Sequence, residues 1–278
     1  MGSGRKYDSY DAYVRHLKNG IGIGEYEEYS PWLRVQDVRE SKATGDKING
    51  IKVKRVYHTL SPNESNFFYL AEFDNDVLDI REQFPLLPLT LTTAIAKHLG
   101  VKHPQVPFVT GGMLNLMTTD FLLTTKTGYV AVSVKPPNEF DINSKNLKRT
   151  LEKIEIERVF WELLGVEFKL FAPDEESKIK AGNISWATDP VRNKLFIPEF
   201  QVDSLAQIIT LGEHDYALLV DKISYILGFE PVMAANALKL LIAKKVIEVD
   251  LTRNFLHSGI IEINTLSEQG DTSVSNIA

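Results

Sequence analysis

Residues 119–135 read Thr119-Asp120-Phe121-Leu122-Leu123-Thr124-Thr125-Lys126-Thr127-Gly128-Tyr129-Val130-Ala131-Val132-Ser133-Val134-Lys135. Two β-rich runs, 119–125 and 129–135, flank a Lys126-Thr127-Gly128 turn, the spacing of a β-hairpin. Pro136 and Pro137 close the second run, because proline cannot donate to a sheet ladder. Working outward, residues 77–84 alternate as a half-buried strand until Pro85 and Pro88 stop them. On the other side, 144–164 is a long helix with Leu147, Leu151, Ile154 and Leu164 as its apolar stripe and Gly165 as its stop. An alternating strand follows at 166–171. Further upstream, Ser61, Pro62 and Glu64 open a helix to about Phe73 as N-cap, first and third positions. Residues 46–60 predict a basic strand, 89–99 a helix, and 5–19 an amphipathic helix. This order predicts an α/β body, a mixed sheet with helices packed on it.

After Phe171 the pattern changes. Pro173, Pro190, Pro198 and polar runs predict a linker or irregular cap over 172–200. Apolar-periodic helices at 215–227 and 231–244 follow, split by Gly228-Phe229-Glu230-Pro231, and then strands at 246–251 and 259–264. Two helices with a tight turn followed by a hairpin make a winged-helix arrangement. The expected division is therefore 1–171 and 172–278, with an unordered tail from about 271.

The 278 residues are 44% hydrophobic and 24% charged, ordinary soluble material. No run approaches eighteen apolar residues, so no membrane span is expected. There is no cysteine, which excludes disulfides and thiolate zinc sites and fits a reducing cytoplasm. Charge is unevenly placed: residues 1–170 hold 22 Lys+Arg against 22 Asp+Glu, and 171–278 hold 9 against 15. Because phosphate backbones bind cationic surface, DNA contact is expected from the first part and another partner for the second.

In the hairpin, an acid at the start of one strand (Asp120) comes near a lysine at the end of its neighbour (Lys135). That pair suits phosphodiester hydrolysis, which needs a carboxylate-held metal and a cation to orient or activate water. The plainer alternative is a turn-capping Asp120 and an exposed strand-end Lys135. Glu64 is equally explained by its capping box, and Glu157 by an i,i+4 surface pair with Lys153. Lys52, Lys54 and Arg55 are candidates to track phosphates, or else a solvated strand face. The six histidines show no metal-ligand spacing, no G-x-S-x-G is present, and Gly20, Gly22 and Gly24 follow no strand, so they are not a nucleotide fingerprint.

Several runs together resemble the TnsA family, the endonuclease subunits of Tn-seven-like heteromeric transposases. They are Tyr29-Ser30-Pro31-Trp32-Leu33-x-Val35-Gln36-Asp37-Val38, Val77-Leu78-Asp79-Ile80-Arg81-Glu82-Gln83-Phe84-Pro85-Leu86-Leu87-Pro88, Lys102-His103-Pro104, Met117-x-Thr119-Asp120-Phe121-Leu122, and Leu151-Glu152-Lys153-x-Glu155-x-Glu157-Arg158. They span about 20–170 in order. The resemblance implies a restriction-endonuclease-like fold with catalytic Glu64, Asp120, Lys135 and Glu157. It also implies a metal site of Glu64, Asp120, the Val134 carbonyl and Ser133. Ser133 departs from the family, which has Gln or an acid there, and a shorter, weaker ligand implies lower metal affinity. The implied activity is Mg²⁺-dependent cleavage (Mn²⁺ as substitute) of the 5′ strands at transposon ends in the bacterial cytoplasm. The implied partners are a TnsB-type transposase subunit and a TnsC-type ATPase regulator, the latter docking on the acidic 172–278. The rival readings are a catalytically weak or silent structural adaptor and another restriction-fold nuclease.

Overall fold

Alternation along the central hairpin sorts the first unit into two layers around a sheet. The computed structural model describes residues 4–38, 44–107, 109–205 and 207–266, and the backbone of 273–274. They divide into two units, Met1–Asp174 and Glu175–Ala278. In the first, α1 (Tyr10–Lys18) precedes β1 (Asp46–Asn49), β2 (Val56–Thr59), α2 (Pro62–Phe73), β3 (Val77–Pro85) and α3 (Leu89–His98). The hairpin β4 (Thr118–Thr125) and β5 (Gly128–Val134) follows, then α4 (Leu147–Leu163) and β6 (Glu167–Phe171). The sheet order is β3-β4-β5-β6. β3/β4 and β4/β5 are antiparallel, and β5/β6, joined through α4, is parallel, as a helical crossover requires.

Phe121, Leu123, Val132 and Val134 cluster with Tyr57 of β2 and Phe68 of α2. Leu122 and Ala131, on the opposite face, join Ile95 of α3 and Ile156 and Phe160 of α4. Burial of each large side chain contributes about 1.5–3 kcal/mol, so a one-residue slip of the hairpin would invert both layers.

Two expectations need correction here. The basic stretch 46–60 is the hairpin β1–β2, not one strand, with Asp46 opposite Thr59. Gly50 makes the turn: a Cβ there would lie 2.1 Å from the Val53 carbonyl oxygen. In α4, Leu151 and Leu164 are exposed, while Ile154, Glu157, Phe160 and Trp161 are buried. The buried stripe therefore runs through a glutamate, which the choice of Leu positions had hidden.

In the second unit, α5 (Glu175–Arg192) leads through β7 (Phe200–Gln201) and β8 (Gly212–Asp215) to α6 (Tyr216–Leu227) and α7 (Pro231–Ala243). Then come β9 (Ile247–Val249), α8 (Phe255–Ser258), β10 (Ile260–Leu266) and β11 (Ser273–Val274). The predicted linker is thus largely helix. Ala181, Ile184 and Ala187 give α5 a buried face at helical spacing, and Pro190 falls in its last turn, where the lost hydrogen bond ends the helix instead of breaking it. Gly228, left-handed at φ 65°, caps α6, and Pro231 starts α7. The strands form an antiparallel sheet in the order β8-β10-β9. The core is apolar, built on Ile223, Leu238, Leu241, Ile261 and Ile263. The tail expected to lack order from about 271 lies outside the described residues except Ser273 and Val274, which pair with Gln201 and Phe200. Among the described residues no single helix is long and apolar enough to cross a membrane.

Candidate active site

Antiparallel pairing puts the start of β4 beside the ends of β3 and β5. Glu82 opposes Phe121 and Phe84 opposes Thr119, so Gln83 and Asp120 come face to face between them. Asp120 Oδ2 accepts from the Val134 amide at 2.7 Å, from Lys135 Nζ at 3.0 Å and from Ser133 Oγ at 3.3 Å. Lys135 Nζ also donates to Ser133 Oγ and the Val134 carbonyl, both at 2.9 Å. The hairpin therefore joins Asp120 and Lys135 as its spacing predicts.

Glu64 enters from the first turn of α2. Ser61 Oγ accepts from the Glu64 amide, which is the expected cap. The Glu64 carboxyl reaches back to the Leu60 amide at 2.9 Å and the Ser61 hydroxyl at 2.9 Å. It still presents Oε2 to Gln83 Nε2 at 3.3 Å. Capping and site membership, which looked like competing roles, are compatible because Ser61 and Leu60 each take one carboxyl oxygen while Oε2 still meets Gln83. Glu157 reaches the same place from α4 and is fully enclosed, which overturns the surface-pair alternative. Trp161 Nε1 donates to Thr119 Oγ1 at 2.6 Å, and Thr119 and Ser133 lie near enough to the Glu157 carboxyl to favour its ionised form. Its Oε1 has no partner.

Glu64, Asp120, Val134, Lys135, Lys153 and Glu157 line one cleft of about 500 Å³. Its electrostatics are short of positive charge. Burial, and then the Asp120 charge, push Glu64 up to about 7 and Glu157 up to about 8. Burial by itself would lower the Lys135 pKa, but Asp120 and Glu157 outweigh it and hold the lysine above its ordinary value. Lys135 is therefore an ammonium at neutral pH. Burial, then Arg149, lower Lys153, so an anion arriving there would meet an under-neutralised cation.

These donors fit a hard divalent cation. Glu64, Asp120 and Glu157 crowd near the Lys135 ammonium, two of them resist ionising, and a buried carboxyl oxygen lacks a partner. Among the described residues no three His, Asp or Glu side chains gather tightly enough to cage an ion.

The basic triplet behaves differently. Arg55 is buried against Glu82, Nη2 to Oε2 at 2.5 Å, and lies over the Tyr57 ring at 3.7 Å. Its guanidinium is committed inside the protein, which corrects its reading as a phosphate contact. Lys52 donates to the Asp74 and Val77 carbonyls. Lys54 is exposed.

Known proteins resemble this unit. The family described as TnsA-like endonuclease N terminal matches residues 74–172. The transposon Tn7 transposition protein TnsA of Escherichia coli is 39% identical over 176 residues, 62% of this chain and 60% of that protein. Residues 74–172 are thus similar to the TnsA-like endonuclease N-terminal domain. The chain spans about 60% of its relative's length. The matched TnsA-like segment runs from the turn before β3 to just past β6, so it holds Gln83, Asp120, Ser133, Lys135 and Glu157, while Glu64 lies ten residues before it. The mixed sheet flanked by helices agrees with the restriction-endonuclease-like fold that the TnsA resemblance implies.

Gln83 is the site residue that sequence reasoning passed over. It stands inside the Val77–Pro88 run quoted for the resemblance, but as a neutral residue in an alternating strand it carried no charge signal. The pairing of β3 with β4 reveals it.

Proposed function

We propose that this chain is a metal-dependent DNA endonuclease that cleaves the 5′ strands at transposon ends. In this reading it works with a TnsB-type subunit that acts on the 3′ ends and a TnsC-type ATPase regulator. The observation that carries the reading is the convergence of Glu64, Asp120, Lys135 and Glu157 on one cleft within a TnsA-like domain.

Glu64 and Asp120, with the Val134 carbonyl and the Ser133 hydroxyl beside them, would hold Mg²⁺ or Mn²⁺. A divalent cation bound there supplies charge stabilisation for the phosphorane and a more acidic water. Lys135 remains protonated and donates from Nζ, so it orients a water or a phosphate oxygen and does not act as a free base. Glu157 keeps a proton at its carboxyl at neutral pH and can release it when positive charge enters. Lys153, at the cleft wall, contacts the incoming backbone in place of the Arg55 first considered. Ser133 gives a shorter ligand than Gln would, and weaker ion binding follows.

The second unit is read as a winged-helix module for the regulator. The succession α6, α7, β9, β10 with a three-stranded sheet supports this, and so does its surplus of acidic residues, which suits a basic protein surface better than DNA. The test mixes the full chain with its partner subunits, Mg²⁺ or Mn²⁺, and DNA bearing transposon ends. Nicks on the 5′ strands with wild type, lost in Asp120→Ala, support the reading. Normal partner binding without cleavage under either metal would leave the adaptor reading in its place.

A further inference from the structure

Among the described residues, Gln83 is the side chain that hydrogen-bonds to both Glu64 and Asp120. Its Nε2 donates to Glu64 Oε2 at 3.3 Å and to Asp120 Oδ1 at 3.4 Å. The amide cannot flip without loss, because Thr118 Oγ1 donates to Gln83 Oε1 at 3.0 Å, and a reversed amide would turn its oxygen on two carboxylates. Gln83 is only 2% exposed, so no water replaces these contacts cheaply.

The backbone is unusual at the same residue. Gln83 has φ +49° inside β3, a left-handed conformation that costs a non-glycine residue about 1–3 kcal/mol and persists only where the surroundings enforce it. Here the Trp32 amide donates to the Gln83 carbonyl at 3.2 Å, and Tyr29 Oη donates to the preceding Glu82 carbonyl at 2.9 Å. The strain is thus held from outside the sheet by an aromatic segment, and the residue so held carries the bridging amide.

The other donors each serve one acid: Leu60 and Ser61 hold Glu64, while Val134, Ser133 and Lys135 hold Asp120. Among the described residues only the carboxamide couples the two. It is also neutral, so it draws the carboxylates together without cancelling the charge that would attract a cation. A lysine in its place would fill the site with its own charge, and an apolar residue would let the acids separate.

We propose that Gln83 is a positioning residue that sets the spacing and orientation of Glu64 and Asp120 for a divalent cation, with Thr118 fixing its amide. The inference rests on the ion-holding reading of the cleft made under Proposed function. Partners that orient metal ligands typically contribute 10–100-fold in metal affinity, which sets the expected size of the effect.

The experiment titrates the full chain with Mn²⁺ alone and counts free ion by its paramagnetic resonance spectrum. Each variant's thermal transition is measured in EDTA. Wild type is expected to take up Mn²⁺, Gln83→Met to bind about tenfold or more weakly, and Thr118→Val about threefold more weakly, with ion-free folding kept. A merely structural role would lower the thermal transition and leave the affinity of the folded fraction unchanged. If Gln83→Met does not fold, Thr118→Val decides, since it leaves the glutamine in place. Wild-type uptake with both folded variants within twofold of it overturns the role of Gln83 alone. No uptake by wild type overturns the ion-holding reading beneath it.

Discussion

The first unit buries Glu64, Glu72, Asp79, Glu82 and Glu157 beside its hydrophobic residues. In the second, the buried polar residues among those described are Asn183, Thr188 and Arg192. Asn183 bonds to the Leu251 and Arg253 carbonyls, Thr188 to that of Ile184, and Arg192 Nε to Thr188 Oγ1, although Arg192 Nη2 accounts for one buried orphan here too. These are ordinary ways of satisfying polar groups in a core. The first unit instead keeps acids that lack full compensation: Glu157 retains an unpartnered oxygen, and Asp120 repels both Glu64 and Glu157. Stability alone does not favour such an interior, since a buried polar group left without a partner costs about 1–3 kcal/mol. The contrast agrees with the proposal that puts chemistry inside the first unit and docking on the second.

The largest test of that contrast is Asp120→Ala in the assembled reaction. Strand cleavage should fall by roughly a thousandfold or more, while circular dichroism stays that of wild type; unchanged cleavage would make the buried acids structural. Next, Leu238→Ala, which empties a fully buried position of the second core, should cost about 2–5 kcal/mol in denaturant unfolding. A loss below about 1 kcal/mol would mean the second core is not packed as the first comparison assumes.

Glu157→Gln should behave in the opposite way to a core deletion. The folded carboxyl titrates near 8, above its unfolded value. Between those values the folded chain holds a proton that the unfolded chain has released. Stability supplied by that proton is therefore complete at low pH and fades as pH rises through about 8. In EDTA, wild type should lose stability across this interval and Glu157→Gln should lose less of it. Parallel pH profiles would remove Glu157 from the charged interior. Smallest of all, Tyr225→Lys on α6, where the side chain is 89% exposed, should shift unfolding by no more than about 0.5 kcal/mol. Under the docking proposal it should weaken capture of the regulator; wild-type capture would take this face out of the interface.

How far each part was legible follows from how local its cause is. Asp120 and Lys135 were readable because a hairpin's period of two and its short turn dictate which residues meet. Glu64 was readable through Ser61 and Pro62, whose capping preference is set within one turn. Glu157 came to notice through the family resemblance alone, because leucines suggested another buried stripe in α4 and left it as a surface partner of Lys153, while the packing that encloses it comes from the sheet. Arg55 looked like a surface cation because Glu82, its partner, is twenty-seven residues away.

By itself, then, the order of amino acids determined the four strands of the first unit's main sheet, most helices, the pairing of β4 with β5 and the split between a charge-balanced first part and an acidic second. Those features depend on neighbours a few positions apart, where propensity, capping and alternation act. Tertiary structure decided that Gln83 bridges two acids, that Glu157 points inward and that Arg55 is consumed by Glu82. Each of these joins elements distant in the chain, and burial there changes what a charged or polar group costs, a quantity no local pattern contains.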